Sequence, residues 1–461
     1  MKTRFPFRYG IATMTEAPHL FVQTTVEANG QIVHGISSDG LPPKWFTKNS
    51  DTAFQDDDLP SMLRVIRNAA DIGVQLGRRR SFFDWWRGLY QAQHDWADEN
   101  GIEQLLAGFG VSLIERAVLD AVCRSLNSPL HKVLRENALE VDFRSLRPQL
   151  RSITPADVLP NRPRSKVAIR HTVGLSDVLS NTEHANRDAS DDGLPYTLEE
   201  NIQTYGIRYF KIKLCGDAAA DRDRLREIFQ VIERTAGTDA RFTLDGNESF
   251  PTIEVFRRAW TDFLADDSIR GFAERSLLFV EQPVDRAATL SDDCGRDLAE
   301  WTDAPPIIID ESDADMSSFP RALELGYSGT SHKNCKGILK GLFTLATVFA
   351  NETESGTRPI LSAEDLGNVG PVALLQDLAS VATFGISHVE RNGHHYFAGL
   401  SMFSDELQQL MLEHHGDLYS RRGGFVALNP QNGDLHLDSV NAAPFGLQPL
   451  IDVSQFASWD F

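Results

Sequence analysis

Short apolar runs recur through the middle of the chain, and each run ends in a charged residue. Five consecutive runs end at Lys213, Asp245, Glu281, Asp310 and Lys333. The runs follow one another at about 30 residues, the length of one strand plus one helix in a (β/α)8 barrel. The pattern therefore predicts an α/β barrel in which each charge lies at the carboxyl end of a parallel strand. In such barrels that face carries the active site, so we expect one mouth with three carboxylates between lysines.

Three further apolar runs complete a barrel of eight strands. They lie at 167–174, before the charged runs, and at 358–364 and 385–392, after them. The polar loop at 176–195 that follows the first run is longer than barrel connections usually are. This loop is either a disordered insert or a flap over the mouth, and the sequence leaves both readings open.

The region before the barrel shows a different pattern. From Arg8 to His34, apolar runs flank the turn pair Asn29 and Gly30, which predicts a strand meander. Helical spacing of apolar residues then predicts helices near 59–77, 81–99 and 111–135. Strands and helices together predict an α+β domain in this part of the chain.

A polar stretch with prolines at 147–165 marks the passage from this domain to the barrel. After the barrel, a closing segment contains a predicted helix at 404–415 and a predicted hairpin around Asn432 and Gly433. The predicted organisation is an α+β domain at 1–150, a barrel at 165–400 and a closing segment at 401–461.

Composition narrows the function classes. The 461 residues suffice for a barrel of about 250 residues and a second domain. The 45 basic and 65 acidic residues give a net charge of −20, which opposes binding to nucleic acid or to anionic membranes. The four cysteines form no CxxC pair, and no secretory signal or membrane span is visible. We therefore expect a reduced, cytoplasmic protein.

The three carboxylates predict a metal site. Asp245, Glu281 and Asp310 come from neighbouring predicted strands, and Mg²⁺ prefers such oxygen ligands with open positions for water and substrate. Neither His nor Cys belongs to the set, which argues against zinc. A single acid at a strand end more often caps a helix or pairs with a lysine, but three in consecutive units favour a metal. Strand alternation directs the adjacent Glu311 away from the barrel axis.

Two lysines share one strand. Lys211 and Lys213 are two residues apart, so both ammonium groups project to the same side. Lys211 and the cation are expected to lower the pKa of Lys213, which is the candidate general base. We expect Lys211 to orient the carboxylate of the substrate. A solvated pair on an edge strand is the plain alternative, which the apolar neighbours of these lysines disfavour.

Lys333 is predicted to lie across the mouth from Lys213, because its strand is four positions away in a ring of eight. Two bases on opposite faces of a carbon can remove a proton and return it from the other side, which is racemisation or epimerisation. A lysine that stays charged suits elimination or cycloisomerisation instead. A barrel that keeps these residues but only binds ligands or serves a structural role is the alternative from another class.

Several strings of the sequence carry a resemblance to a known family. They are KIK at 211–213, LDGN at 244–247, VEQP at 280–283, IIDES at 308–312 and the predicted helix at 114–134. In order and spacing they resemble the enolase superfamily, in its muconate lactonizing enzyme and mandelate racemase-like branch. The resemblance implies a modified (β/α)8 barrel, (β/α)7β, with an α+β capping domain built from the N-terminal region and the C-terminal tail. It also implies Mg²⁺-dependent abstraction of the α-proton of a small-molecule carboxylate through an enediolate.

The resemblance extends to further positions. It implies substrate contacts for Asn247, Glu390 and Asn392, and a supporting role for Glu364 beside the opposite lysine. Dipeptide epimerases carry an aspartate pair where this chain has Glu390 and Asn392, which weakens the case for an amino-acid substrate. The family usually has a glycine pair after the sixth-strand lysine, whereas this chain has only Gly337, so Lys336 stays an alternative to Lys333.

The remaining expectations concern the oligomeric state and a few aromatic and histidine residues. Family members often form even-numbered assemblies, which makes a homo-oligomer possible. Trp45 and Phe46 are either an apolar lid or interdomain packing. His394 and His395 could contact a polyol or acid substrate, although exposed loop histidines are more often plain surface residues. We expect His332 to be structural, since alternation directs its side chain away from the mouth.

Overall fold

The computed structural model describes residues 1–28, 30–184 and 192–459. The interior of the loop predicted to be a flap or an insert therefore lies outside the described residues. Four strands open the chain: β1 (Lys2–Tyr9), β2 (Ala12–Glu16), β3 (His19–Ala28) and β4 (Gln31–Gly40). They form two separate antiparallel pairs, β1 with β2 and β3 with β4, rather than the single meander that the sequence predicts. Ala17 and Pro18 separate the pairs, and a proline has no N–H to offer a ladder.

Helices follow the strands, and the third of them packs on β3 and β4. They are α1 (Leu59–Leu76), α2 (Phe82–Glu99), α3 (Gln104–Ser125), α4 (Leu130–Arg135) and α5 (Pro155–Val158). The first two match their predictions closely, and Ser81 caps α2 by accepting a hydrogen bond from the Asp84 N–H at 3.2 Å. The helix predicted at 111–135 is divided, because Asn127 adopts a positive φ of 46° and Pro129 follows. Strand β4 crosses α3 at Gly35, where a Cβ atom would stand 2.2 Å from the Ala117 carbonyl oxygen.

Eight parallel strands then form the barrel. They are β5 (Lys166–Val173), β6 (Tyr209–Lys213), β7 (Arg241–Asp245), β8 (Leu277–Glu281), β9 (Ile307–Ile309), β10 (Gly329–His332), β11 (Ile360–Ala363) and β12 (His388–Arg391). Hydrogen-bonded neighbours follow chain order from β5 to β11, and β12 pairs with β5. The eight strands confirm the predicted α/β barrel. Most of their apolar side chains are buried, which explains why each strand reads as a short apolar run.

Helices connect the barrel strands. They are α6 (Asn181–His184), α7 (Leu198–Tyr205), α8 (Ala218–Ala236), α9 (Ile253–Leu264), α10 (Asp267–Ser276), α11 (Arg286–Thr289), α12 (Asp292–Ala299), α13 (Ser318–Glu324), α14 (Ile338–Ser355) and α15 (Val372–Phe384). Several begin at a side-chain cap, such as Asp217, which accepts hydrogen bonds from the Ala219 and Ala220 N–H groups at 3.0 Å. Among the described helices, none combines the length and the apolar character that crossing a membrane demands.

The closing segment returns to both parts of the molecule. Helix α16 (Gly393–Tyr396) precedes this segment, which contains α17 (Asp405–His414), β13 (Tyr419–Arg422), β14 (Phe425–Leu428), β15 (Asp434–His436) and α18 (Asp438–Ala442). Strands β13 and β14 form one hairpin. Around the predicted turn at Asn432 and Gly433, Gln431 and Asp434 pair antiparallel, with both backbone hydrogen bonds made at 2.8 and 3.0 Å, and β15 continues onto β5, where it also pairs antiparallel. Phe456 stacks on Phe21 of the N-terminal strands with ring centroids 4.6 Å apart.

Candidate active site

The predicted site residues gather at the carboxyl ends of the barrel strands. Lys213, Asp245 and Glu281 are the last residues of β6, β7 and β8, and the parallel register places them side by side. Asp310, Lys333 and Glu364 directly follow β9, β10 and β11, and Glu390 lies on β12. The structure therefore brings the charged residues of the sequence prediction to one end of the barrel.

The loops after β7 and β8 fix the acids by backbone geometry. Asn247 and Gln282 have positive φ angles of 41° and 35°, which turn the chain sharply after each strand. The Gln282 Oε1 atom accepts a hydrogen bond from the Asp310 N–H at 2.8 Å, and so holds the loop that carries Asp310. Gly246 permits this packing, since a Cβ atom there would stand 2.5 Å from the Pro283 Cα atom.

Lys211 lies at the centre of the acidic cluster. Its ammonium group is 2.9 Å from Glu281, 3.0 Å from both Asp245 and Glu390, and also contacts Glu364. Only 1% of the side chain is exposed, and it does not line the cavity described below. Burial alone would lower the pKa of Lys211, but the surrounding carboxylates raise it well above its ordinary value. This geometry gives Lys211 a role in balancing carboxylate charge, and the predicted contact of Lys211 with a substrate carboxylate stays a prediction.

Two other lysines hold individual acids. The Lys213 ammonium lies 2.5 Å from Asp245. The Lys333 ammonium lies 2.5 Å from Asp310 and 3.3 Å from Glu364. Burial acts to lower the pKa of Lys333, but these two carboxylates outweigh it and raise the pKa well above the ordinary value.

Lys336 occupies a different position from Lys333. Its ammonium group donates to the Asp310 backbone carbonyl at 2.7 Å and to the Ser331 carbonyl at 3.0 Å. These contacts hold the loop behind the site, whereas Lys333 lines the cavity. Of the two alternatives from the sequence, Lys333 is the lysine that faces the space open to a ligand.

Three carboxylates come close enough to share one cation. Within the described residues, Glu281, Asp310 and Glu364 each offer an oxygen, and these oxygens lie within 4.8 Å of one another. The predicted set contains Asp245 in place of Glu364. The Glu281 Oε2 atom is buried and has no hydrogen-bond partner, so it has lone pairs available for a cation. An all-oxygen set of this kind fits Mg²⁺.

The pKa values of two acids in this cluster are shifted in opposite directions. Burial, followed by the neighbouring Glu364 carboxylate, raises the pKa of Glu281 well above its ordinary value. Burial also opposes ionisation of Asp310, but Lys333 and Lys336 outweigh it and hold the pKa of Asp310 well below its ordinary value. The cluster therefore behaves as one coupled charge system rather than as separate groups.

A small cavity adjoins the cluster. Its lining residues are Phe7, Tyr9, Met14, Pro42, Trp45, Lys213, Asn247, Lys333, Asp365, Leu366, Glu390 and Asn392. The volume is about 30 Å³, which holds about two water molecules. The barrel contributes the charged and amide groups, and the N-terminal strands and the segment after them contribute most of the apolar groups.

The apolar side of the cavity is held in place by polar contacts. The Trp45 ring lies over Lys333, with 4.6 Å between the ring centroid and the ammonium nitrogen. Arg286 donates to the Trp45 and Phe46 carbonyls at 2.9 and 2.8 Å and to Glu248 of the barrel at 2.8 Å. Phe46 packs on Phe109 instead of facing the cavity. Trp45 thus covers the site, and Phe46 packs inside the N-terminal region.

Some sequence predictions need correction. His394 and His395 are buried, at 5% and 1% exposure, because they pack against His171 and Asp177 instead of facing solvent.

Glu311 does not point away from the site. Strand β9 ends at Ile309, so alternation no longer applies, and Glu311 accepts a hydrogen bond from the Asn247 amide at 3.3 Å. His332 is buried against Phe384, as its predicted structural role requires.

Sequence reasoning missed Arg170. This residue is fully buried on β5, and its guanidinium donates to Glu364 at 2.7 Å. The sequence contained a signal, since an arginine inside the apolar run at 167–174 can be buried only beside a carboxylate. Arg391 on β12 is a second case, with Asp365 at 2.8 Å.

Known proteins resemble this chain in fold but not detectably in sequence. No protein-family model matches the sequence, and no curated protein matches it. Solved structures match over nearly the whole chain. A mandelate racemase/muconate lactonizing protein from Herpetosiphon aurantiacus is 18% identical with a TM-score of 0.58, covering 96% of this chain and 94% of its own. The chain has the fold of these enzymes.

Two further structures support the same fold. A dipeptide epimerase from Enterococcus faecalis is 15% identical with a TM-score of 0.55, over 97% of this chain and 99% of its own. An N-succinyl Arg/Lys racemase from Bacillus cereus is 16% identical with a TM-score of 0.56, over 96% and 94%. The predicted barrel with its capping domain is confirmed at the level of fold.

Proposed function

We propose that the protein removes the α-proton of a small-molecule carboxylate in a Mg²⁺-dependent reaction, as a racemase or an epimerase. The observation that carries this proposal is the position of two lysines in one cavity. Lys213 ends β6 and Lys333 follows β10, and both line the cavity. Strands β6 and β10 are four positions apart in the ring of eight, so the lysines approach the cavity from opposite walls.

Opposed lysines suit inversion of a carbon centre. Lys213 takes a proton from one face of the α-carbon, and Lys333 donates a proton to the other face. In the reverse direction the two exchange roles. The carboxylates of Asp310 and Glu364 outweigh burial and raise the pKa of Lys333 well above its ordinary value, which favours the protonated state required of the residue that donates.

Asp245, Glu281 and Asp310 are the proposed ligands of Mg²⁺. Glu364, rather than Asp245, offers an oxygen within 4.8 Å of oxygens of both Glu281 and Asp310, but it is paired with the buried Arg170. If Glu364 bound the cation instead of Arg170, the buried guanidinium would lose its carboxylate partner, which would cost about 3 to 5 kcal/mol. When bound, Mg²⁺ stabilises the negative charge that develops on the substrate carboxylate as the α-proton leaves.

One observation favours a second candidate function. Lys333 is held as a cation by its two carboxylates and by the Trp45 ring above it. If Lys333 stays charged throughout the reaction, it stabilises the substrate without exchanging a proton. The reaction is then an elimination or a cycloisomerisation of a hydroxy or sugar acid.

Deuterium incorporation separates these functions. Acid sugars, amino acids and dipeptides are incubated in heavy water with Mg²⁺, each enantiomer or epimer separately. A racemase exchanges the α-hydrogen of both forms. Lys333→Ala then keeps exchange only for the form that Lys213 deprotonates, and Lys213→Ala keeps it only for the other. A lyase or cycloisomerase acts on one form and gives a new product.

The exposed Lys132 provides the control variant, and Lys132→Ala should behave as the unmodified protein. If no compound exchanges its α-hydrogen and Lys213→Ala leaves every measurable property unchanged, the proposal is wrong. The barrel is then a binding or structural protein.

A further inference from the structure

Strand β3 has an open edge on the N-terminal region. Among the described strands it pairs only with β4, and the antiparallel register runs without a break along the whole of β3. The ladder uses the inner edge of each strand, so the backbone groups on the two outer edges are left to other partners. The two outer edges differ in what they meet.

Side chains from neighbouring helices cover the outer edge of β4. The Ile36 N–H donates to the Asp120 carboxylate of α3 at 3.0 Å. The Ile36 carbonyl accepts from the Gln376 amide of α15 at 2.7 Å. Both backbone groups of Ile36 therefore point away from β3. Because Gln23 is the residue opposite Ile36 in the antiparallel register, its own backbone groups also point outward, to the other side.

The outer edge of β3 has no such cover. Backbone direction alternates along a strand, so Thr25 and Glu27 face outward like Gln23. In the described part of the chain, no hydrogen bond engages the backbone of these three residues on that side, and their side chains are exposed. Val22 and Val26 are only half-buried, so part of their apolar surface stays in contact with solvent.

Strand β3 also lacks the features that usually keep an edge from pairing. Protected edge strands are short, bulged or marked by lysine or proline. This strand has 10 residues, a regular register and neither of those residue types, and Glu27 is its single acid. A long, regular and open edge of this kind is a template for a further strand.

The open stretch is complementary to itself. Phe456 stacks on Phe21, so the stretch that stays open is centred on Thr25. Antiparallel pairing of two copies about a two-fold axis at Thr25 places each Thr25 opposite the other and each Gln23 opposite the partner's Glu27. A threonine pair and an amide opposite a carboxylate are favourable cross-strand neighbours, and no like charges meet.

We propose that β3 forms the interface of a homodimer, in which two copies pair edge to edge through residues 23–27 and build one sheet in the order β4-β3-β3-β4. The pairing adds ladder hydrogen bonds and covers the open sides of Val22 and Val26. One strand edge buries less surface than a permanent interface does, so the dimer dissociates on dilution. The proposal is independent of the proposed function, since none of these residues lines the cavity at the barrel mouth.

Charge changes at Gln23 test the interface and its register. Gln23→Glu places a carboxylate opposite the partner's Glu27, twice in each dimer, and should raise the dissociation constant by about tenfold. Gln23→Lys places an ammonium group there and should lower the dissociation constant. Gln75→Glu, at an exposed position of α1, is the control for the added charge and should leave it unchanged. Sedimentation velocity over a dilution series measures all four proteins.

A cysteine at the two-fold axis provides a second test. In Thr25→Cys the two thiols of a dimer lie opposite each other, on Cα atoms about 5.5 Å apart, which a disulfide can span. Oxidation should therefore give a disulfide-linked dimer. Thr353→Cys, at an exposed position of α14, is the matched control and should stay unlinked. Both variants also carry Cys215→Ser, which removes the exposed native cysteine.

Three outcomes would overturn the proposal. The first is a protein that sediments as a monomer at every concentration of the series. The second is a dimer whose dissociation constant is the same in Gln23→Glu and in the unmodified protein. The third is a Thr25→Cys variant that forms no more linked dimer than the Thr353→Cys control. In the last two cases the copies meet through another surface.

Discussion

The Glu115 carboxylate accepts a hydrogen bond from the Leu339 backbone N–H at 2.7 Å and so joins helix α3 to the first turn of α14. Helix α3 belongs to the region before the barrel, and α14 follows the loop that carries Lys333 and Lys336. On the same helix, the Ser112 hydroxyl donates to the Asn334 carbonyl at 2.5 Å. Contacts from α3 therefore fix the segment that positions the opposite lysine.

Glu115 gives the stability of the protein a defined pH dependence. Burial, opposed mainly by the Leu339 hydrogen bond, raises its pKa from 4.5 to about 7. Between these values the folded state binds more protons than the unfolded state, so the free energy of unfolding falls as pH rises from about 4.5 to about 7. The contribution of Glu115 is fully present below the lower value and is lost above the higher one.

Glu115→Gln should remove this contribution. As pH rises from 4.5 to 8, the free energy of unfolding of the unmodified protein should fall by about 3 kcal/mol more than that of the variant. Urea denaturation of both proteins at several pH values measures the difference. Parallel pH profiles would show that Glu115 ionises at its ordinary pKa.

The loss of metal affinity in two variants decides whether Asp245 or Glu364 is the third metal ligand. Asp245→Asn removes a proposed ligand and should weaken Mn²⁺ binding, measured by calorimetry, by more than about 100-fold. Glu364→Gln should weaken it less, because Glu364 is paired with Arg170 and Lys333. Asp262→Asn, at an exposed position, is the control. The reverse ranking would assign the metal to Glu281, Asp310 and Glu364, whose oxygens lie within 4.8 Å of one another.

Arg286 is expected to keep the segment with Trp45 closed. It links the Trp45 and Phe46 carbonyls to Glu248, so Arg286→Ala removes the contacts on both sides. Amide hydrogen exchange at 43–49 should accelerate by about tenfold or more, because local opening becomes easier. Arg258→Ala, which breaks an exposed pair with Glu254, should not change it. Unchanged exchange in Arg286→Ala would place the stability of the segment elsewhere.

The sequence predicted the barrel and its charged mouth because both follow from local patterns. A strand buried on both faces is a continuous apolar run, and a polar residue at its end can reach the mouth. Lys213, Asp245 and Glu281 therefore appear at the predicted places. The prediction for Glu311 failed because β9 ends at Ile309, and loop geometry carries no alternation.

Tertiary packing decided the features that sequence reasoning missed. The His394 and His395 pair looked like a surface loop, but it is buried where α16 meets β5. The contact between Glu115 and Leu339 joins residues more than 200 positions apart, and no local pattern announces it. A charge inside an apolar helix or strand, as at Glu115 and Arg170, was the available signal.

Loss of the α-proton in heavy water tests the central claim most directly. Nuclear magnetic resonance follows the α-proton signal of a panel of 2-substituted carboxylates with the protein, with and without Mg²⁺. The account predicts exchange that requires Mg²⁺ and that, for the stereoisomer that Lys213 deprotonates, falls by about 10²- to 10⁴-fold in Lys213→Ala, while the Mn²⁺ affinity of that variant is retained. Undiminished exchange of both stereoisomers in Lys213→Ala, or exchange that is indifferent to Mg²⁺, would contradict it.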